Sequence, residues 1–481
     1  MNPPEHLLVR RIARLQSILD VAKAMTTERD LDALLGLILR EAAKVVEADR
    51  CSLFLVDAER NELWTKIAHG ERAEIRVPMG VGIAGQVAQA GRAVNIPDAY
   101  ASAQFNRDVD LATGYRTRSI LCVPMKDTQE KVVGVIQALN RREGAFTDED
   151  EELLLALGGQ AAAAIENAIL HREIQRLFEG FVQASVVAIE ARDPTTAGHS
   201  ERVARLTVGL ARAVEQAPPS GYAGLRFRPD EIRQLRYAAL LHDFGKVGVR
   251  EHVLVKANKL HPHELELLRA RFDLIRATVE NERLRAQLAG RPAAELAEHE
   301  RRAGELDGLW EFVLTCNRPT VLAEGGFERL HEIARRTYGE GARPYLTDGE
   351  VRLLSIPRGS LSAEERREIE SHVTHTFRFL SQIPWTADLR RVPEIAWAHH
   401  ERLDGRGYPR AVPEALIPVE SRMMAIADIY DALTASDRPY KKAVPVDKAL
   451  DILRDAARSG HVDGALLGVF IEARVHEAPS Q

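Results

Sequence analysis

The segments with strand chemistry all lie in the first 140 or so residues, and beyond them the sequence keeps a helical apolar period almost to its end. This change of period constrains the fold more than any other feature. Side chains repeat every two residues along a strand and about every 3.6 along a helix. Residues 51–56 and 63–68 flank the polar turn DAERNE, and 119–125 and 131–140 flank KDTQE, so each pair predicts a hairpin. Between them, PMGVGIAGQVAQAG reads as a glycine-rich entry to a short helix. Leu31, Leu34, Leu35 and Ile38 carry a helical period, with Thr26 and Thr27 as candidate N-caps. Ahead of them, Leu7, Leu8, Ile12, Leu15, Ile18 and Leu19 predict an amphipathic helix over 4–24. The expected fold class is multi-domain: an N-terminal α+β domain joined by a long helix to an all-α domain with a large helical insertion. The expected boundaries are an N-terminal helix over 1–27, the α+β domain over 28–165, a linking helix over 166–184 and the all-α domain over 185–475.

The linking helix starts at Asp148 and runs well past Arg176, with Leu153, Leu157, Ile165, Ile169 and Leu177 among its apolar positions. A long isolated helix needs a partner for such a stripe, so a homodimer is expected, with a plain inter-domain helix as the alternative. The stretch 261–360 differs in character. It is rich in Arg and Glu, has no Lys, and has a coiled-coil flavour in ELELLRARFDLIRATVENERLRAQL before NRPTVLAEGGF and GEGARPYL break it up. It reads as an insertion, a solvated helical hairpin or dimer element rather than a second chemistry. His261, His263, His299 and His331 within it are not expected to be ligands.

Basic residues number 65 and acidic ones 71, so the net charge is 65 − 71 = −6, with no general footprint for a nucleic-acid polymer. Cys51, Cys122 and Cys316 are odd in number and far apart, which excludes a disulfide framework and fits a reducing compartment. No apolar run is expected to approach the ~20 residues of a membrane span, and the first residues lack the apolar core of a signal peptide. A cytoplasmic protein without a membrane partner is therefore expected.

The sixteen histidines matter through their clustering. His242–Asp243 end the apolar helix IRQLRYAALLHDFGK, and His399–His400 begin HHERLDGRGYP. His199 lies in AGHSERVARL, His372 in ERREIESHVTH and Asp428 in MMAIADIYDALT. Imidazole and carboxylate are the ligand types for Zn, Fe or Mn in a mixed N/O site. Adjacent pairs on helices project in different directions, so each pair can serve two neighbouring ions, and an aspartate can bridge both. Two metals ~4 Å apart can bind a phosphodiester, supply a nucleophile near neutral pH and stabilise the leaving oxygen. A lone His–Asp pair carries a plainer alternative, a satisfied helix end; here HDFGK, HHERLDGRGYP and ADIYDALTASDRPYKKA follow one another in order.

Over about 185–260 and 355–460 these motifs resemble the HD-GYP family, a branch of the HD phosphohydrolases. The resemblance implies a bacterial, all-helical signalling hydrolase with two or three metals that cleaves cyclic di-GMP to pGpG or onward to GMP. It implies that His199, His242, Asp243, His372, His399, His400 and Asp428 are metal ligands, with Asp243 bridging. His375, one turn on from His372, is the alternative to it. Lys246, Arg438, Lys441 and Tyr408 match the family's substrate contacts, Lys246 standing with His242 and Asp243 in the catalytic set. Asp404, Gly405 and Gly407 read as loop-shaping residues. Three-metal members carry a glutamate four residues before the first histidine; Thr195 stands there, which favours two divalent ions (Fe, Mn or Zn).

The α+β domain resembles the GAF family, of the kind found in cyclic-nucleotide phosphodiesterases and cyclases. FNRDVDLATGYRTRSILCVPM and NRREGAFTDEDE carry the resemblance, the latter through Asn140, Arg141, Phe146, Asp150 and Glu151. Arginine replaces the usual lysine, and an Arg141–Asp150 salt bridge is expected. The resemblance implies a sensory pocket in which Ser52, Ile83, Ala84, Gly85, Asp98 and Thr117 contact a cyclic mononucleotide, the phosphate seated at a helix start. Another small molecule, or an unliganded dimerisation module, are the alternatives. The expected function is therefore a GAF-regulated, metal-dependent cyclic di-GMP phosphodiesterase. Hydrolysis of another cyclic dinucleotide such as cGAMP, or a non-catalytic scaffold binding cyclic di-GMP or a diguanylate cyclase, are the competing readings.

Overall fold

In the computed structural model the chain forms two compact units, Met1–Glu179 and Gly180–Gln481. The structure describes residues 20–477 apart from 66–74, 106, 108–109, 112–113, 193–196, 217–220, 223, 320, 322–324 and 436–442. Arg438, Lys441, Thr195 and most of the predicted 4–24 helix lie outside the described residues.

The first unit opens with helical residues 20–27 and helix α1, Leu31–Val45. Its N-cap is Asp30, whose carboxylate accepts from the Ala33 amide, and not Thr26 or Thr27. Those hydroxyls donate backwards to the Lys23 and Ala24 carbonyls and close the preceding helix instead. A six-stranded antiparallel sheet follows: β1 Ala48–Asp57, β2 Glu62–Thr65, β3 Ile75–Pro78, then helix α2 Gly82–Ala90, β4 Val94–Ile96, β5 Ile120–Lys126 and β6 Val132–Arg141. The strand order is β3-β2-β1-β6-β5-β4. Both predicted hairpins form, and β1 and β6 join them at the centre, Leu53 opposite Ile136.

Alternation sends Leu53, Leu55, Leu121, Val123, Met125, Ile136 and Ala138 into one buried layer with α1 and the start of helix α3, Asp148–Arg192. Phe54, Ile120, Cys122 and Val135 enter a second layer with Ile83, Ala84 and Val87 of α2. A sheet covered on both faces explains why β5 is buried along nearly its whole length. α3 overturns the expectation that no apolar run approaches a membrane span. Between 153 and 170 the only charged residue is Glu166, and by length and composition this helix alone among the described residues suffices to cross a membrane. Half of that stretch is buried in the protein, where Leu153, Leu154, Leu157, Ala161 and Ile165 pack beneath the sheet.

The second unit is helical. α4 His199–Gln216, α5 Pro229–Leu241 and the short α6 Glu251–Leu254 precede a helical hairpin, α7 Pro262–Leu288 and α8 Ala293–Asn317. Next come α9 Gly326–Arg335, the two-residue strands β7 Thr337–Tyr338 and β8 Arg343–Pro344, and α10 Asp348–Leu354. These elements share their own core, with Phe272, Trp310, Val313, Leu330 and Tyr345. The chain then returns through α11 Ala363–Glu370, α12 His372–Leu380, α13 Val392–Trp397, α14 Val419–Thr434, α15 Val446–Arg458 and α16 Gly464–Glu472. α4 packs on α5 and α14, and α12 packs on α13 and on the 3-10 turn Phe244–Gly248 that follows α5.

Candidate metal centre

Of the seven histidines and aspartates singled out in the sequence, all but Asp428 sit where these helices begin or end. His199 opens α4, His242 caps the C-terminus of α5 with Asp243 next to it, and His372 opens α12. His399 and His400 follow α13, and Asp428 lies within α14. Helix ends converging on one point bring all seven side chains together. Asp243 is the hub: one oxygen is 3.2 Å from His372 Nε2, and the other is 3.4 Å from His242 Nε2 and 3.8 Å from His199 Nε2. Asp428 lies 3.2 Å from His199 Nε2. The rings of His399 and His400 are 4.0 Å apart, and His399 meets His242 at 4.9 Å. Two groups have ligand atoms mutually within 4.8 Å: His199 with His242 and Asp243, and His372 with His399 and His400.

Three of the rings are aimed by their own helices. His242 Nδ1 is 2.7 Å from the Ala239 carbonyl, His372 Nδ1 2.6 Å from that of Ile369, and His399 Nδ1 2.6 Å from that of Ala396, each three residues back. A carbonyl only accepts, so Nδ1 carries the proton and Nε2 presents its lone pair to the centre. Those three Nε2 atoms are buried and have no hydrogen-bond partner among the described residues. Buried polar atoms without partners are costly unless something else satisfies them, so the donor set fits divalent cations.

The electrostatics point the same way. Burial holds His242 and His399 below the ordinary imidazole range and His400 at about 3. Burial alone would raise Asp243, but Lys246 with Nζ 2.7 Å away, and His242 and His372 beside it, keep it well below the usual carboxylate range. Asp428 is lowered against its burial by His199. Burial opposes charge on His199 too, yet Asp428 and Asp431 lift it to about 9. Neutral His242, His399 and His400 beside ionised Asp243 and Asp428 are in the protonation states that ligate metal, whereas His199 would have to release its proton to join them. The Tyr408 ring lies 4.7 Å from that of His400, tilted by 37°, and burial raises its phenol above the ordinary range, so it stands there as a neutral hydroxyl.

Lys246 therefore lies at the centre, while Arg438 and Lys441 fall outside the described residues. His375 does not reach the cluster's hub; its ring lies over the Gly248 position. Asp404 accepts from the Arg406 amide and pairs with Arg402. Gly405 has φ +71°, and a Cβ on Gly407 would overlap the Glu401–Arg402 backbone, so the loop from 404 to 407 depends on both. Of the insertion's histidines, His261 lies 3.4 Å from Glu365 and His299 3.8 Å from Glu282, in neither metal-competent group.

Several residues at the centre carry no signal by which sequence reasoning found them. Asp431 is buried on α14, with Oδ2 2.7 Å from His199 Nδ1, and accepts from Arg202 Nε at 2.6 Å. The one clue is its place a helical turn after Asp428. Thr376 accepts from the Gly245 amide and donates to the His242 carbonyl, tying α12 to the His–Asp turn. Buried Glu401 accepts from the Arg410 and Val412 amides and holds the loop that carries Tyr408.

In the first unit, the expected pair is present: Arg141 Nε lies 2.8 Å from Asp150, which is fully buried. Asp150 also accepts from the Thr147 amide and hydroxyl, and Asn140 accepts from the Arg118 and Ser119 amides. Ile83, Ala84 and Gly85 open α2 over the second sheet layer, and Ser52 shares the face of Phe54 on β1. Thr117 is turned inward, its amide and hydroxyl both donating to Asp110. Asp98 caps the turn at Tyr100. Both residues are thus engaged by the protein's own groups.

Comparison with known proteins assigns both units. Residues 30–165 match the GAF domain family, and residues 196–320 and 349–466 match two HD domain families. The chain therefore carries an N-terminal α+β GAF domain and a largely helical HD region; the first HD match runs through α7 and α8 of the insertion, and the second begins at residue 349. The chain is similar to a probable 3',5'-cyclic phosphodiesterase of Caenorhabditis elegans, 36% identical over 33% of this chain and 24% of that protein. It is also similar to a dual 3',5'-cyclic-AMP and -GMP phosphodiesterase of Takifugu rubripes, 37% identical over 32% of this chain and 18% of that protein. The chain thus spans less than a quarter of the length of the curated relatives it matches. Among solved structures, the GAF domain of a phosphoenolpyruvate-protein phosphotransferase from Coxiella burnetii is 21% identical, covering 33% of this chain and 96% of that one, with a TM-score of 0.31.

Proposed function

We propose that this protein is a metal-dependent phosphodiesterase of the HD-GYP kind that hydrolyses cyclic di-GMP to pGpG or GMP. The observation that carries the reading is the set of three buried Nε2 atoms without hydrogen-bond partners among the described residues, turned by backbone carbonyls into one cluster, two of them beside Asp243. His199, His242, Asp243, His372, His399, His400 and Asp428 would hold two divalent ions, Fe, Mn or Zn. Such ions supply Lewis acidity and a water of lowered pKa. The protein's own groups do the rest. Lys246 offers a point charge to a non-bridging phosphoryl oxygen and Tyr408 closes one wall with a neutral hydroxyl, while Arg438 and Lys441 enter as diester contacts through the motif alone. Asp431 and the Ala239, Ile369 and Ala396 carbonyls fix which ring nitrogen faces the substrate.

In the GAF domain, Ser52, the α2 start at Ile83–Gly85 and the neighbouring backbone would receive a small ligand such as cAMP or cGMP, which regulates hydrolysis. Asp98 and Thr117 would have to leave their present partners to join them. The similarity to cyclic-AMP and cyclic-GMP phosphodiesterases supports cyclic mononucleotides as a second substrate reading, as well as a GAF ligand. We further assign the protein to the cytoplasm, as a homodimer paired through α3.

Purified protein loaded in turn with Fe, Mn and Zn is to be incubated with cyclic di-GMP, cGAMP, cAMP and cGMP, and the products separated. Turnover of cyclic di-GMP with at least one metal is expected, and its loss in the His242→Ala, Asp243→Ala variant at unchanged circular dichroism. Turnover of cAMP or cGMP alone would move the substrate assignment to the mononucleotides, and wild-type turnover in the double variant would overturn the site.

A further inference from the structure

α7 has two apolar faces, and only one of them is buried among the described residues. Leu268, Phe272, Ile275 and Val279 are buried in the insertion's core. On the opposite side, Leu267, Leu274, Leu284 and Leu288 are 66%, 49%, 45% and 89% exposed. These four, with Ala270, Ala277 and Asn281, fall in a strict seven-residue repeat: Leu267, Leu274, Asn281 and Leu288 at a, Ala270, Ala277 and Leu284 at d. The buried residues Leu268, Phe272, Ile275 and Val279 occupy b and f. A seven-residue apolar repeat sustained on an exposed helix is the pattern of a two-stranded coiled coil.

The flanking charges choose the partner and its direction. The g positions are Glu266, Asp273 and Glu280; the e positions are Arg271, Thr278 and Arg285. In a parallel pair each g residue meets the e residue five places on in the other helix, which sets Glu266 against Arg271 and Glu280 against Arg285. In an antiparallel pair g faces g, and two acidic columns would meet. Arg271 also holds Glu350, and Glu280 also pairs with Arg283 within the helix, so these contacts orient the pair more than they bind it. The lone amide at an a position satisfies itself only opposite its own copy in register.

We propose that α7 pairs in parallel, in register, with α7 of a second copy of this chain. The seam runs 22 residues, about 33 Å at 1.5 Å per residue. Three heptads are short for free peptides, but α7 is already held as a helix by α8, so pairing does not meet the cost of helix formation. Ala270 and Ala277 let the two axes approach closely. None of the residues on this face belongs to the metal centre or to α3.

The test is oxidative cross-linking of the full chain with copper phenanthroline, read on non-reducing gels. The native Cys51, Cys122 and Cys316 are buried and free, so an added thiol reports its own position. Asn281→Cys is expected to give several-fold more linked dimer than Arg276→Cys, which sits at a c position. Adding Leu274→Glu and Leu284→Glu should return Asn281→Cys to the Arg276→Cys level with helicity retained. Equal yields from the two cysteine variants would overturn the proposal, as they would if the helices ran antiparallel or another protein covered the stripe. So would linkage that survives the two glutamates. None of these readouts depends on hydrolysis, so the result stands apart from the phosphodiesterase assignment.

Discussion

Asp431 shows how much of the centre is decided by a residue that would not itself touch a metal. It sits between His199 and Arg202, accepting from the guanidinium on one side and facing the imidazole on the other. That arrangement fixes the ring's orientation and raises its basicity, as carboxylate–histidine pairs do at metal sites. Asp431→Asn keeps the shape but weakens the hold on Nδ1, and Asp431→Ala removes it. Metal affinity by competition with a chelating dye should fall by about 10–100-fold in the alanine variant and less in the asparagine variant. Equal affinity in all three proteins would show that Arg202 and helix packing position His199 without it.

At the scale of the element, the HD turn is held by how closely two helices approach. A Cβ at Gly245 would overlap the His372 carbonyl oxygen and the Thr376 amide, both backbone atoms of α12 that cannot swing aside. Gly245→Ala should therefore cost about 3 kcal/mol of the helical unit's stability, at the upper end of overpacking effects. Gly304→Ala, in α8 where nothing lies within 4 Å, should be neutral or gain up to about 1 kcal/mol. Urea midpoints at an unchanged slope would measure both. The contrast also marks what the sequence makes legible. His242, Asp243, His399 and His400 announce themselves as adjacent pairs, and the two hairpins and long helices follow from local period. Asp431 meets His199 across 232 positions, and β1 meets β6 across some 80, and neither pairing has a local pattern. The helix start at Asp30 was obscured because Thr26 and Thr27 are equally good caps chemically, and only the preceding helix decides that they point backwards.

For the whole molecule, two units with separate cores mean that metal acts on only one of them. A ligand that binds only the folded state adds about 2.7 kcal/mol at a hundred times its Kd. Chelation of loaded protein should lower the calorimetric transition of the helical unit by several degrees and leave that of the GAF unit in place. A shift in both, or in neither, would count against a centre confined to residues 199–428. One element nevertheless belongs to both units. α3 is hydrogen-bonded without a break from Asp148 to Arg192, across the boundary at Glu179 and Gly180. A rod of this kind keeps phase. Each residue added or removed within it would turn the helix's own apolar stripe by about 100°, whereas seven would bring it back to within about 20°. The length of this stretch is thus quantised: a tract that tolerates any insertion as a flexible tether would here accept whole heptads and little else.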